Sequence, residues 1–176
     1  MKSVSIISIA LAVMFYAAAG ICGELSTSQS VEVNASPEQV WALIVDADNW
    51  AAWNPAVKKS KLKKGDGEQT GSVVEFTPII GGKSAPKVKL KLEKSQKPNR
   101  HEFTAKAPGL KIVFGRTVTQ KDGVTIVTSY ETITGPGAVG FKAMYGQEGL
   151  DREHREWVHA IKKKLELTDD KGSDGK

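Results

Sequence analysis

Cysteine occurs once in the 176 residues, as Cys22, and histidine three times, as His101, His154 and His159. A lone thiol makes no intramolecular disulfide, and a cysteine this close to the N-terminus leaves the body of the chain without thiol chemistry. His154 and His159 are five apart, which on a helix turns them away from each other. No pair of carboxylates at ligand spacing joins them, so no metal centre is expected. No Gly-x-Ser-x-Gly elbow is present, and no histidine has an orienting acid beside it, so nucleophilic catalysis is not indicated. Gly81-Gly82 and the Gly135 to Gly140 run lack the Lys-Ser/Thr of a phosphate cradle, and no cofactor is expected. Repeats and low-complexity tracts are missing too.

What is present starts with one long uncharged run. Lys2 precedes residues 3–23, whose apolar body holds Val4, Ile6, Ile7, Leu11, Val13 and Phe15, closed by Ala17, Ala18, Ala19 and Gly20. A basic start, a short apolar stretch and a small-residue exit describe a secretory signal peptide, with cleavage after Ala19 or Gly20. The chain is then exported, to a periplasm or outside the cell. Two alternatives stay open: an uncleaved membrane anchor through residues 3–23, since the run approaches spanning length, or lipidation at Cys22. Ile21 departs from the small residue that a lipobox places before its cysteine. The rest, with 40% hydrophobic and 26% charged residues over the chain, suits one globular domain at 24–167. Residues 168–176 read as a polar, disordered tail. The net charge of +5 is a mild excess and says little about partners.

Within the domain, Ser30 to Asn34 alternates as a first strand. Ser36-Pro37-Glu38-Gln39 is a helix start, with Ser36 as cap, Pro37 at the first helical position and Gln39 completing a capping box. Val40, Trp41 and Ile44 form its buried face. A second short helical turn, Asn49 to Trp53, stops at Asn54-Pro55. Strands follow over 57–64, 72–78, 87–92, 101–106, 110–119 and 124–134, with a hairpin turn at Asp122-Gly123. Residues 135–146 read as a glycine-rich loop. The segment Gly146 to Leu167 is an amphipathic helix: Leu150, His154, Trp157, Val158, Ile161 and Leu165 share one stripe. Asp151, Arg152, Glu153, Glu156, Lys162 and Lys163 are assigned to the solvated face. A long helix after a run of antiparallel strands buries its stripe against the sheet.

The stretch Ala-Ser-Pro-Glu-Gln-Val-Trp-Ala-Leu-Ile-Val-Asp-Ala-Asp-Asn-Trp-Ala-Ala-Trp-Asn-Pro, residues 35–55, together with the hairpin over residues 122–136, resembles the SRPBCC or START-like superfamily, in its polyketide cyclase/dehydrase-like branch. The resemblance spans about residues 28–167. It implies an α+β helix-grip fold: a curved antiparallel sheet of about seven strands around a long C-terminal helix, with two short helices after the first strand. The superfamily is functionally mixed, so the resemblance carries the fold further than any one activity.

Function is expected between sheet and helix. Trp53, Phe114, Tyr145 and Trp157 are candidates to line a pocket, with Phe76, Leu90 and Phe103 on inward strand faces. His154, on the apolar stripe, is read as satisfied by a core hydrogen bond or as orienting a ligand's head. A two-residue turn at Asp122-Gly123 sets Arg116 opposite Ser129, with Glu131 as diagonal neighbour on the same face. The favoured reading of Arg116 and Glu131 is a structural ion pair at the cavity rim. The first functional expectation is a hydrophobic small molecule or lipid bound without catalysis. The alternatives are a cyclase- or dehydratase-type enzyme using His154 or Glu131 as proton carrier with Arg116 holding an oxyanion or carboxylate, and an envelope protein meeting an anionic membrane surface through Lys58, Lys59, Lys61, Lys63, Lys64, Lys87, Lys89, Lys91 and Lys94. The favoured reading of those lysines is a solvated face that guards the strand edges. Nucleic acid is not expected, because no aromatics interleave with those lysines.

Overall fold

The structure is a computed structural model that describes the backbone of residues 24–173 and the side chains of residues 24–167. The signal-peptide, anchor and Cys22 readings lie outside the described residues. The order of elements is β1 (Glu24–Val33), α1 (Pro37–Val45), a 3-10 turn (Ala47–Asn49), α2 (Trp50–Trp53), β2 (Val57–Lys64), β3 (Val73–Ile80), β4 (Lys83–Ser84), β5 (Val88–Gln96), β6 (Arg100–Ala107), β7 (Leu110–Lys121), β8 (Val124–Thr134) and α3 (Ala138–Ser173). Seven strands run in the order β1-β8-β7-β6-β5-β3-β2, and β4 folds back on β3. Every pairing is antiparallel. The sheet curves around α3, which packs on β1, β8 and β3.

Local sequence explains the entry into this fold. The Ser36 hydroxyl accepts from the Gln39 N–H, and the Gln39 side chain accepts from the Ser36 N–H, so two orphan donors at the start of α1 are satisfied. Val40, Trp41 and Ile44 are buried from that helix. They join Val33, Val118, Val127 and Ile161 in a core that covers the turn end of the β7–β8 hairpin. Beside it His101 is wedged against Trp41 and Phe103, with Nε2 on the Gly67 carbonyl at 2.8 Å. Burial pushes its imidazole down to about 4. The larger core holds Trp50, Phe76, Leu90, Leu92, Phe103, Phe114, Ile133, Leu150 and Trp157. The hairpin register pairs Lys121 with Val124 and Arg116 with Ser129, as a two-residue turn requires.

The lysine strands face water. Lys63 and Lys87 both reach Glu75, Lys91 reaches Glu93, and Lys94 reaches Glu102, so the outer face is a mixed-charge surface rather than a uniformly basic one. Among the described residues no helix is long and apolar enough to cross a membrane.

Two expectations change in the C-terminal third. The glycine-rich segment is not loop throughout: helical structure begins at Ala138, and Val139 to Tyr145 form a helical arm ahead of the main helix. The arm and the body of α3 meet at Gly146, whose φ of 71° and ψ of 164° are non-helical. Glu153, assigned to the solvated face, is only 2% exposed. It lies three residues after Leu150 and four before Trp157, so helical arithmetic puts it on the buried stripe. Past Leu167 the helical backbone continues to Ser173.

The Gly146 conformation belongs to a region that only glycine enters freely. Gly146→Ala should therefore cost about 1–3 kcal/mol, read as a lower thermal midpoint. An unchanged or higher midpoint would mean that arm and body form one straight helix in solution.

Candidate functional site

The inward faces of β7 and β8 and the buried stripe of α3 meet around one charged residue. Arg116 on β7 is fully buried. Its guanidinium carbon lies 3.6 Å from the centre of the Trp157 ring, 4.6 Å from Phe114 and 5.2 Å from Trp50. Burial pushes its ionisation down to about 9, against the attraction of Glu153. No nitrogen of the guanidinium has a hydrogen-bond partner among the described residues, so rings and the nearby carboxylate hold it.

Ser129 and Glu131 are two apart on β8 and so share its inward face. His154 reaches across from α3 to both, with Nδ1 2.9 Å from the Ser129 hydroxyl and Nε2 3.0 Å from Glu131 Oε2. A carboxylate can only accept, so Nε2–H donates to Glu131 while Nδ1 meets the Ser129 hydroxyl. This corrects two sequence expectations. The ion pair between Arg116 and Glu131 does not form, because His154 engages Glu131 and Arg116 stacks on Trp157. His154 does have an orienting acid, but one brought in from 23 residues away in sequence.

Glu153 completes the cluster. Glu131, Glu153 and His154 each offer a ligand atom, and these atoms all lie within 4.8 Å of one another. The three could hold a cation, so the carboxylate pair that sequence spacing did not reveal is supplied by the fold. Burial is the first reason that the Glu153 carboxyl ionises well above the usual range, and the negative charge of Glu131 adds to it. Glu153 Oε2 has no hydrogen-bond partner. Of the two carboxyls, Glu153 is the one pushed toward its acid form.

Glu131 and Glu153 stand at the polar end of a cavity of about 240 Å³. Its walls are apolar: Phe76, Ile80, Leu90, Ile112 and Phe114 from the sheet, and Phe141, Met144 and Tyr145 from the helical arm. Of the residues expected to line a pocket, Phe76, Leu90, Phe114, Glu131 and Tyr145 do so. The other five lie elsewhere. Phe103 and Trp157 are fully buried core, Arg116 and His154 sit behind the wall as support for the carboxyl pair, and Trp53 faces a separate groove on the outside of α3. Sequence reasoning missed Glu153, Ile80, Ile112, Phe141 and Met144. Helical spacing from Leu150 was the available signal for Glu153. The arm residues lacked one, because four glycines mask their helical period.

The chain matches the family model described as polyketide cyclase/dehydrase and lipid transport over residues 24–166. It belongs to this family. No curated protein matches it. Among solved structures it is similar to the KanY protein, at 24% identity and a TM-score of 0.63 over 82% of this chain and 99% of that one. The ZhuI aromatase/cyclase from Streptomyces sp. R1128 aligns at 15% identity and 0.64, over 81% and 94%. Norcoclaurine synthase from Thalictrum flavum, solved with a transition-state analogue, aligns at 18% and 0.61, over 84% and 98%. Identities this low establish the helix-grip fold and leave chemistry to the site itself.

The protonation of Glu153 has a measurable sign. A group whose folded pKa is raised contributes stability below its unfolded value and loses it as pH rises. Glu153→Gln, which keeps the shape and stays neutral, should gain on the native protein by up to about 1.4 kcal/mol per pH unit above the ordinary glutamate range. Thermal midpoints of both proteins from pH 5 to 8 check this. A constant gap across that range would mean that Glu153 is already ionised.

Proposed function

We propose that the protein binds a compact hydrophobic molecule in the cavity between the sheet and α3. The observation that carries this reading is an apolar chamber lined by a buried carboxyl, Glu153, that has an oxygen without a hydrogen-bond partner. Small-molecule sites commonly combine apolar walls with a few polar groups that fix orientation. At about 240 Å³ the chamber falls just below the ~300–1,000 Å³ common for such sites. A ring system or short chain suits it better than a two-chain lipid, which would need the arm to move. Glu153 would donate to a ligand oxygen, and Glu131 would accept from a hydroxyl or amine. The helical arm over residues 139–145, hinged at Gly146, is the element best placed to admit the ligand. Export through residues 1–23 belongs to this proposal as well.

A cyclase- or dehydratase-type activity is the second reading, and the Ser129–His154–Glu131 chain is what favours it. A carboxylate hydrogen-bonded to an imidazole, beside a second carboxyl pushed toward its acid form in the wall of an apolar chamber, can remove a proton at one atom and deliver one at another. The family description includes such activities beside lipid transport, so both readings use one cavity.

Native mass spectrometry of the protein purified without detergent tests the binding reading. It should show an added mass, released on denaturation, that is lost in Ala107→Trp, where an indole fills the chamber from its rim. A clean apo mass together with no retention of any member of a hydrophobic-ligand library would overturn it.

A further inference from the structure

The body of α3 has a second face with chemistry of its own. Arg152, Arg155, His159 and Lys163 follow one another at intervals of three, four and four, so they form one stripe along the outside of the helix. All four are exposed. With Trp53, Asn54 and Val57 they line a groove of about 870 Å³ between α3 and the α2–β2 connection. Glu156 is the one acidic residue lining it. Among the described residues, Arg152, Arg155 and Lys163 take part in no ion pair.

An independent observation comes from the floor. Asn54 is 2% exposed. Its Oδ1 accepts from the Ala56 N–H at 2.9 Å, which fixes the orientation of the amide. Nδ2, pointing the other way, has no partner, and neither has the neighbouring indole Nε1 of Trp53. Buried donors are normally satisfied. Here two unsatisfied N–H groups belong to floor residues of a groove rimmed by guanidinium, imidazole and ammonium groups. A rim of guanidinium, imidazole and ammonium groups with one acidic neighbour calls for an anion, guanidinium suits tetrahedral oxyanions especially well, and the two unpaired donors lie in the residues beneath it.

We propose that this groove binds a phosphoryl group carried on a small organic moiety. The groove is far larger than a bare anion needs, and Ala51, Pro55 and Leu167 at its margin offer apolar surface to the attached carbon skeleton. Two sources share this chemistry: a soluble phosphate ester and the phosphodiester headgroup of an anionic lipid. The site is distinct from the cavity, since the two share no lining residue.

Titration calorimetry of the full chain with glycerol 3-phosphate, and sedimentation with phosphatidylglycerol against phosphatidylcholine vesicles, test the proposal at low and at moderate salt. Saturable binding of glycerol 3-phosphate supports a soluble ester, and retention only by phosphatidylglycerol vesicles supports a headgroup. In either case the double variant Arg155→Gln/Lys163→Gln should weaken binding at least tenfold, and both side chains are exposed, so folding is preserved. Asn54→Asp keeps the acceptor for Ala56, replaces the donor with an oxygen, and should abolish binding. Failure to bind either probe would overturn the proposal. So would binding that the double variant leaves unchanged.

Discussion

A guanidinium buried against an indole is the constraint around which the interior is arranged. Burying Arg116 alone would be prohibitive, since an unpaired charge in a low-dielectric interior costs several kcal/mol even after relaxation. Two things offset the cost. The faces of Trp157, Phe114 and Trp50 surround the cation, and a desolvated contact of this kind contributes about 2 kcal/mol or more. The Glu153 carboxyl, beyond the rings, attracts the guanidinium. Because Trp157 and Glu153 both come from α3, the helix is needed for electrostatic as well as hydrophobic reasons. A sheet without α3 would expose Arg116 to a half-built pocket.

The same arrangement makes the cavity chemically interesting. Two buried carboxyls this close repel, so one of them is pushed toward its neutral form. Glu131 is tied to His154 and, through it, to Ser129. Glu153 has an oxygen without a partner and the deeper burial, and it is the one whose ionisation is pushed up. Two identical side chains thus acquire different surroundings in the wall of one apolar chamber, Glu131 bonded to His154 and Glu153 biased toward its acid form. Placing Arg116 behind Phe114 rather than in the chamber keeps the positive charge away from a hydrophobic guest while it still sets the protonation of the wall.

Much of this fold is legible in the sequence, and the places where it is not have definable causes. Ser36, Pro37 and Gln39 announce α1 because capping is a local transaction among four residues. The β7–β8 register follows from Asp122-Gly123 because turn length alone fixes which residues face each other. Glu153 is misplaced when polarity is allowed to outweigh position: a carboxylate suggests solvent, yet its offsets from Leu150 and Trp157 put it inside. The pairing of Arg116 and Glu131 fails for a different reason. Sheet geometry correctly makes them diagonal neighbours, but a third partner, His154, arrives from an element that strand register says nothing about. The helical arm before Gly146 is hidden because Gly137, Gly140 and Gly146 suggest a loop, whereas the close approach of the chain at Gly137 and the turn at Gly146 are what call for glycine.

Dividing α3 at Gly146 has a mechanical consequence. The body of the helix carries everything that is electrostatically costly to disturb: Glu153, His154 and Trp157 inward, and the stripe from Arg152 to Lys163 outward. The arm carries Phe141, Met144 and Tyr145, whose contribution to the chamber is hydrophobic contact alone. Apolar contacts slide and re-form at small cost, whereas a buried arginine with a neutral acid beside it tolerates little movement. A residue whose backbone is already outside the helical region is where the two halves can part. On the proposed binding reading, opening the chamber at the arm would leave the charge cluster and the outer groove in place, so a ligand would exchange without the interior coming apart.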